Sequence, residues 1–159
     1  MVTSFDDCFT RLLQSEGGYS NNPADPGGET MHGVTLRVAR AWGYLGAMKD
    51  LPVETAKAIA KAYYWTPNRC DQLPAAIAFH VFDSAYHGGS AVQWLQRAVG
   101  ATPDGIIGPK TVAAVRAAEP AAVVMAFNQA RLEYLTGLKT WPQFGRGWVL
   151  RIVRNMEVF

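Results

Sequence analysis

The chain holds only two cysteines in 159 residues, Cys8 and Cys70, and no Cys-x-x-Cys pair. That rules out a disulfide-stapled scaffold and a zinc-finger pattern, and both thiols read as reduced core residues in a reducing compartment. Long apolar runs are missing too. The longest stretch without a polar residue, Ala121 to Phe127, is far too short to cross a bilayer. The opening Met-Val-Thr-Ser-Phe-Asp-Asp-Cys carries acids where a secretory signal carries lysines, so folding in the cytoplasm is expected. There is no Gly-x-Ser-x-Gly elbow, which excludes the common serine-hydrolase arrangement. There is no P-loop and no dinucleotide fingerprint. No repeat of twenty to fifty residues is visible, and no segment is rich in strand formers.

What is present suits a globular domain, or one with a small appended lobe. The chain is 49% hydrophobic with a net charge of +2. The charge is uneven. Residues 1–90 carry seven Lys/Arg against nine Asp/Glu, and residues 91–159 carry eight against four. A basic C-terminal half suits weak contact with an anionic cell envelope, but the excess is too small to imply nucleic acid.

The chain is organised around the run from Leu12 to Thr35. Phe5, Cys8, Phe9, Leu12 and Leu13 repeat at the spacing of a helix with one buried face. Glu16 falls on the same stripe, just before Gly17-Gly18 breaks the helix. A carboxyl group held against Leu12 and Leu13 loses hydration, which favours its protonated form. An acid that keeps its proton can serve as a general acid. The loop that follows is rich in turn formers, including Pro23, Pro26 and Gly27-Gly28. It can fold the chain back so that Asp25, Glu29 or Thr30 faces Glu16. Glycosidases commonly use two carboxyl groups, one to protonate the leaving oxygen and one to activate water or attack the sugar. Asp25 in its polar turn, or Glu29 as its competitor, can be the second, and Thr30 can orient a water.

Glu16-Gly17-Gly18-Tyr19, Asn22-Pro23-Ala24-Asp25-Pro26-Gly27-Gly28 and Thr30-Met31-His32-Gly33-Val34-Thr35 together resemble the signature of glycoside hydrolase family 108. These are phage and prophage lysozymes, N-acetylmuramidases. The order Glu, eight residues, Asp, a short spacer, Thr is also similar to other phage-type lysozymes. The Asp-to-Thr spacer here is four residues rather than the five of those relatives. The resemblance implies Glu16 as the essential acid, with Asp25 and Thr30 completing the catalytic group. Tyr19 and His32 are expected to contact sugar; the family places an aromatic where His32 stands. The resemblance further implies an endolysin that a holin releases to the wall, acting on peptidoglycan glycan strands as a monomer. It implies no cofactor.

Further along, Thr35 is expected to cap a short helix, Leu36 to Trp42, ended by Gly43 and Gly46. A second helix is predicted from Pro52 or Val53 to about Trp65. Its terminal Tyr63, Tyr64 and Trp65 either pack in the core or line a glycan groove. Pro74 opens a helix from Ala75 to Tyr86, bearing His80, Asp83 and His87 on one face. These three have the spacing for a metal site, yet lack the His-Glu-x-x-His pattern, and three polar residues on one helix face are more often a solvated stripe or a hydrogen-bonded strut. The stretch Val81 to Gly88 again resembles family 108, where an Asp lies under the cleft. Asp83 is therefore expected either to contact substrate or to support the site from beneath, and His87 is taken as a further substrate contact. Beyond Gly88-Gly89, the pattern Leu95-Gln96, Gly100, Asp104-Gly105 and Gly108-Pro109-Lys110-Thr111 resembles a peptidoglycan-binding repeat. Helices follow at Pro109 to Ala118, Pro120 to Leu138 and Trp148 to Glu157, with Arg146, Arg151 and Arg154 in water.

The expected fold is therefore mainly α, lysozyme-like and two-lobed, with a small β-hairpin in residues 17–35. A catalytic lobe is placed at 1–88, and a helical peptidoglycan-binding-like lobe at 89–159 packed on it. The expected activity is cleavage of the bond between N-acetylmuramic acid and N-acetylglucosamine. Two other classes stay open: a non-catalytic wall-binding protein, and a metal-dependent wall peptidase or amidase using His80, Asp83 and His87.

Overall fold

A computed structural model of the chain describes residues 4–23 and 28–157. The fold is mainly α, with eight helices and one small antiparallel sheet among those residues. The chain forms two compact units, Thr3–Pro67 and Asn68–Phe159 apart from the first two residues. No helix among the described residues is long and apolar enough to cross a membrane.

In the first unit, helix α1 spans Phe5–Ser15. Its start is fixed by a reciprocal cap. Ser4 Oγ accepts the Asp7 N–H at 3.2 Å, while the Asp7 carboxylate accepts the Ser4 N–H at 3.3 Å. Phe5, Cys8, Phe9 and Leu12 turn inward, as their spacing requires. Strands β1 (Ser20–Asn21), β2 (Glu29–Met31) and β3 (Val34–Thr35) pair antiparallel in that order. His32 and Gly33 join β2 to β3 with φ of 53° and 77°. Two successive positive φ values make the tight turn whose twist matches a hairpin, and His is one of the side-chain residues that tolerates it.

Helix α2 (Leu36–Trp42) is bounded as the sequence requires. Thr35 Oγ1 accepts the Val38 N–H, and Gly43 takes the left-handed conformation at φ 102°. Helix α3 (Val53–Ala60) does not continue as an α-helix to Trp65. It passes into a wider π-turn, Lys61–Trp65, closed by the Thr66 N–H on the Lys61 carbonyl at 2.9 Å. Trp65 is buried there with its ring edge-on to Phe5, centroids 5.4 Å apart.

The second unit holds α4 (Ala75–His87), α5 (Ala91–Ala98), α6 (Pro109–Ala117), α7 (Pro120–Thr136) and α8 (Trp141–Met156). Helix α7 packs on α4, α5 and α8. The expected boundary at Gly88-Gly89 falls between α4 and α5, inside this unit.

Helix α8 begins seven residues before the expected Trp148. Pro142 sits in its first turn, where a missing N–H costs nothing. Gly145 is needed because a Cβ there would lie 2.6 Å from the Trp141 ring. Trp148 closes the cluster, 6.2 Å from Trp141 and 5.9 Å from Phe144 by centroids. The Leu95–Thr111 pattern is a self-contained clasp. The buried Gln96 side chain donates to Asp104 Oδ1 at 2.7 Å and to the Ile106 carbonyl at 3.0 Å, and accepts the Gly105 N–H at 2.9 Å. Gly105 supplies φ 80° at the turn.

Candidate active site

Glu16 stands at the C-terminal end of α1. Its N–H still donates to the Leu12 carbonyl at 3.1 Å, while its own ψ of 134° takes the next residues out of the helix. The N–H bond keeps its Cα on the helical path, so the side chain leaves beside the buried Leu12. Oxygen Oε1 of Glu16 is shut off from solvent, although the residue as a whole is half-buried.

The hairpin carries the other expected groups. The Tyr19 hydroxyl donates to Glu29 Oε1 at 3.0 Å, and this bond is the main reason the Tyr19 hydroxyl's pKa is raised. Tyr19 is therefore a positioned, neutral phenol, and Glu29 a carboxylate with one oxygen held. Thr30 pairs with Ser20 on one side and Thr35 on the other. Side chains alternate along a strand, so Thr30 points to the face opposite Glu29. Only one of the two can share a face with any given neighbour. His32 occupies the turn tip. Asp25 lies outside the described residues.

Asp83 and His87 belong to the second unit, and the structure corrects the expectation that Asp83 touches substrate. Asp83 is 0% exposed. Its Oδ2 accepts from Arg131 Nη1 at 2.8 Å, and its Oδ1 from Arg151 Nε and Nη2 at 2.9 and 2.8 Å. Burial alone would raise its pKa, but the charges and hydrogen bonds of Arg151 and Arg131 prevail and hold it at about 2. Asp83 thus ties α4 to α7 and α8. Arg151 was expected in water; it is buried because this carboxylate draws it in.

His87 Nδ1 lies 3.2 Å from Arg131 Nη2. A guanidinium only donates, so Nδ1 accepts and the ring is neutral. Burial first, then the two arginines, push its pKa down to about 3. His80 is buried and meets the Asn128 side-chain amide at 3.2 Å. The metal reading of His80, Asp83 and His87 loses its support. Two guanidinium groups occupy the carboxylate and would repel a cation. Among the described residues no three metal-ligating side chains converge.

The structure thus brings Tyr19 to Glu29, and Asp83 to His87 through Arg131. Sequence reasoning missed Arg131 and Arg151 as partners of Asp83. No local spacing carries that signal, since the partners lie 48 and 68 residues away. It also missed Trp42, which is exposed beside Tyr63 with centroids 5.5 Å apart.

Comparison with known proteins bears on this arrangement. Residues 9–89 match the family model described as glycosyl hydrolase 108. Residues 90–153 match a second, described as a predicted peptidoglycan domain. The solved structure titled "Structure of Brucella abortus SagA" is 38% identical in sequence with a TM-score of 0.88, covering 96% of this chain and 91% of that one. No curated protein matches the chain.

Proposed function

The chain belongs to the glycosyl hydrolase 108 family, and from that premise we propose that it hydrolyses the β-1,4 bond from N-acetylmuramic acid to N-acetylglucosamine in peptidoglycan. That it is a glycoside hydrolase directed at peptidoglycan follows from the two matched regions. The choice of bond and of acid is the proposal.

Glu16 donates its proton to the glycosidic oxygen as the C–O bond breaks. Asp25 steadies the positive charge that develops on the sugar or activates the attacking water, and Glu29 is the competing candidate for that role. Thr30 helps to place the water, and Tyr19, fixed by Glu29, helps to position the sugar. The observation that carries this reading is the shielded Oε1 of Glu16 at the end of α1. The family setting extends it to an endolysin of a phage or prophage, kept in the host cytoplasm until released to the wall.

Glu16→Gln keeps the shape and removes the proton. Turnover of purified peptidoglycan should fall by roughly 10²–10⁴-fold while the thermal midpoint holds. Mass analysis of the digest should show new reducing ends on muramic acid. Freed amino groups would instead mark a peptidase or amidase and reject the proposal, as would full activity in Glu16→Gln.

A further inference from the structure

Helix α3 buries Ala56, Ile59 and Ala60. If the α-helical period continued, the next inward position would be Tyr63. The π-turn at Lys61–Trp65 adds one residue to that turn, and Trp65 goes inward instead. Tyr63 is thereby released to the surface, where it is 42% exposed. Single-turn π insertions of this kind recur at functional sites because they aim side chains that a regular helix would bury.

Tyr63 does not stand alone. Trp42, 39% exposed at the end of α2, meets it edge-to-face at 5.5 Å and 81°. Tyr64 follows, 6.5 Å from Tyr63 by centroids. Burial raises the Tyr64 hydroxyl's pKa and the Arg37 charge opposes it, which puts that charge within electrostatic reach of the hydroxyl. Arg37 is exposed, in the first turn of α2. Trp42, Tyr63 and Tyr64 thus follow one another ring to ring, and the Arg37 charge acts at the Tyr64 hydroxyl.

An exposed pair of aromatic rings with a cation nearby fits one kind of ligand. Sugar rings present C–H faces with partial positive charge, which pack on the negative face of an aromatic ring. Muramic acid adds a lactyl carboxylate, which pairs with a guanidinium. A neutral sugar would use the rings and not the arginine. We propose that Trp42 and Tyr63, with the Arg37 charge beyond Tyr64, form a binding subsite for an anionic muramic-acid-containing glycan strand. The subsite rests on the reading of the protein as a peptidoglycan muramidase, and extends it to how the strand is held.

The full chain carrying Glu16→Gln allows binding to be read without turnover. Its affinity for peptide-free peptidoglycan strands, measured by calorimetry, should fall about tenfold or more with Trp42→Ala or Tyr63→Ala. Trp42→Phe should recover most of it. Arg37→Gln should weaken those strands severalfold and leave N-acetylglucosamine oligomers unchanged. Matched circular dichroism and thermal midpoints establish that each variant is folded. Wild-type affinity in both alanine variants overturns the subsite. Equal loss for both ligands in Arg37→Gln overturns the carboxylate contact. If the native chain releases no muramic-acid reducing ends, the muramidase reading fails, while the affinity comparison still decides the subsite on its own.

Discussion

Asp83 shows what one buried charge can do. Replacing it with Asn leaves Arg131 and Arg151 enclosed without a full counter-charge, and this should destabilise the fold by about 3–5 kcal/mol in urea denaturation. A loss under 1 kcal/mol would contradict the account. His87 is predicted to set the acid side of the stability profile. Its ring titrates at about 3 when folded, against 6.5 ordinarily. Between those values the unfolded chain takes up a proton that the folded chain refuses, so stability declines as pH drops from about 6.5 toward about 3. His87→Asn keeps an oxygen for the Arg131 N–H and removes the titration. Its urea midpoint should fall less steeply from pH 7 to pH 4 than that of the native chain; an identical profile would rule His87 out. Asp83 acts lower: its depressed pKa supports the fold above the ordinary carboxylate range, and that support is lost as pH approaches 2. Cys8, buried with its thiol pushed up to about 12, has no reactive part to play.

Elements differ in how openly they announce themselves. Helix α2 is legible to the residue, because Thr35 and Gly43 satisfy its ends from within the local sequence. Helix α8 is not. Gly145 and Gly147 argue locally against its first two turns, and the Trp141–Trp148 cluster overrides them. Gly145→Ala should therefore destabilise by about 1–3 kcal/mol, since the new Cβ meets the Trp141 indole. That is opposite to the gain usual for Gly→Ala in a helix, and a raised thermal midpoint would refute the packing argument. The π-turn is the other hidden element. Nothing in Lys61–Trp65 by itself says that the period shifts by one residue. The bulk of Trp65 against Phe5 decides it. The hairpin was readable in outline from its glycines, but its third strand depends on His32 accepting a positive φ.

At the scale of the whole molecule, two divisions of the chain compete. The family matches part at residues 89 and 90, where Gly88-Gly89 reads as a linker. The compact units part at Pro67 and Asn68. Asp83 belongs to the first half by sequence and to the second by its partners. A fragment of residues 89–159 lacks that carboxylate and should be largely unfolded by circular dichroism, whereas 68–159 should hold its helices. Equal helicity in both would show that α4 is dispensable. What the sequence alone determined is local and periodic: the α1 stripe with Glu16 at its end, the capped α2, the Asp104-Gly105 turn and the family to which these motifs belong. Each needs only neighbours within a turn or two, so the order of residues suffices. The tertiary structure alone decided that Asp83 is sealed between two arginines, that Trp65 rather than Tyr63 faces inward, and that Trp42 joins the exposed rings. Those outcomes turn on charge neutralisation and volume between segments far apart in the chain, and no local pattern encodes which distant partner will arrive.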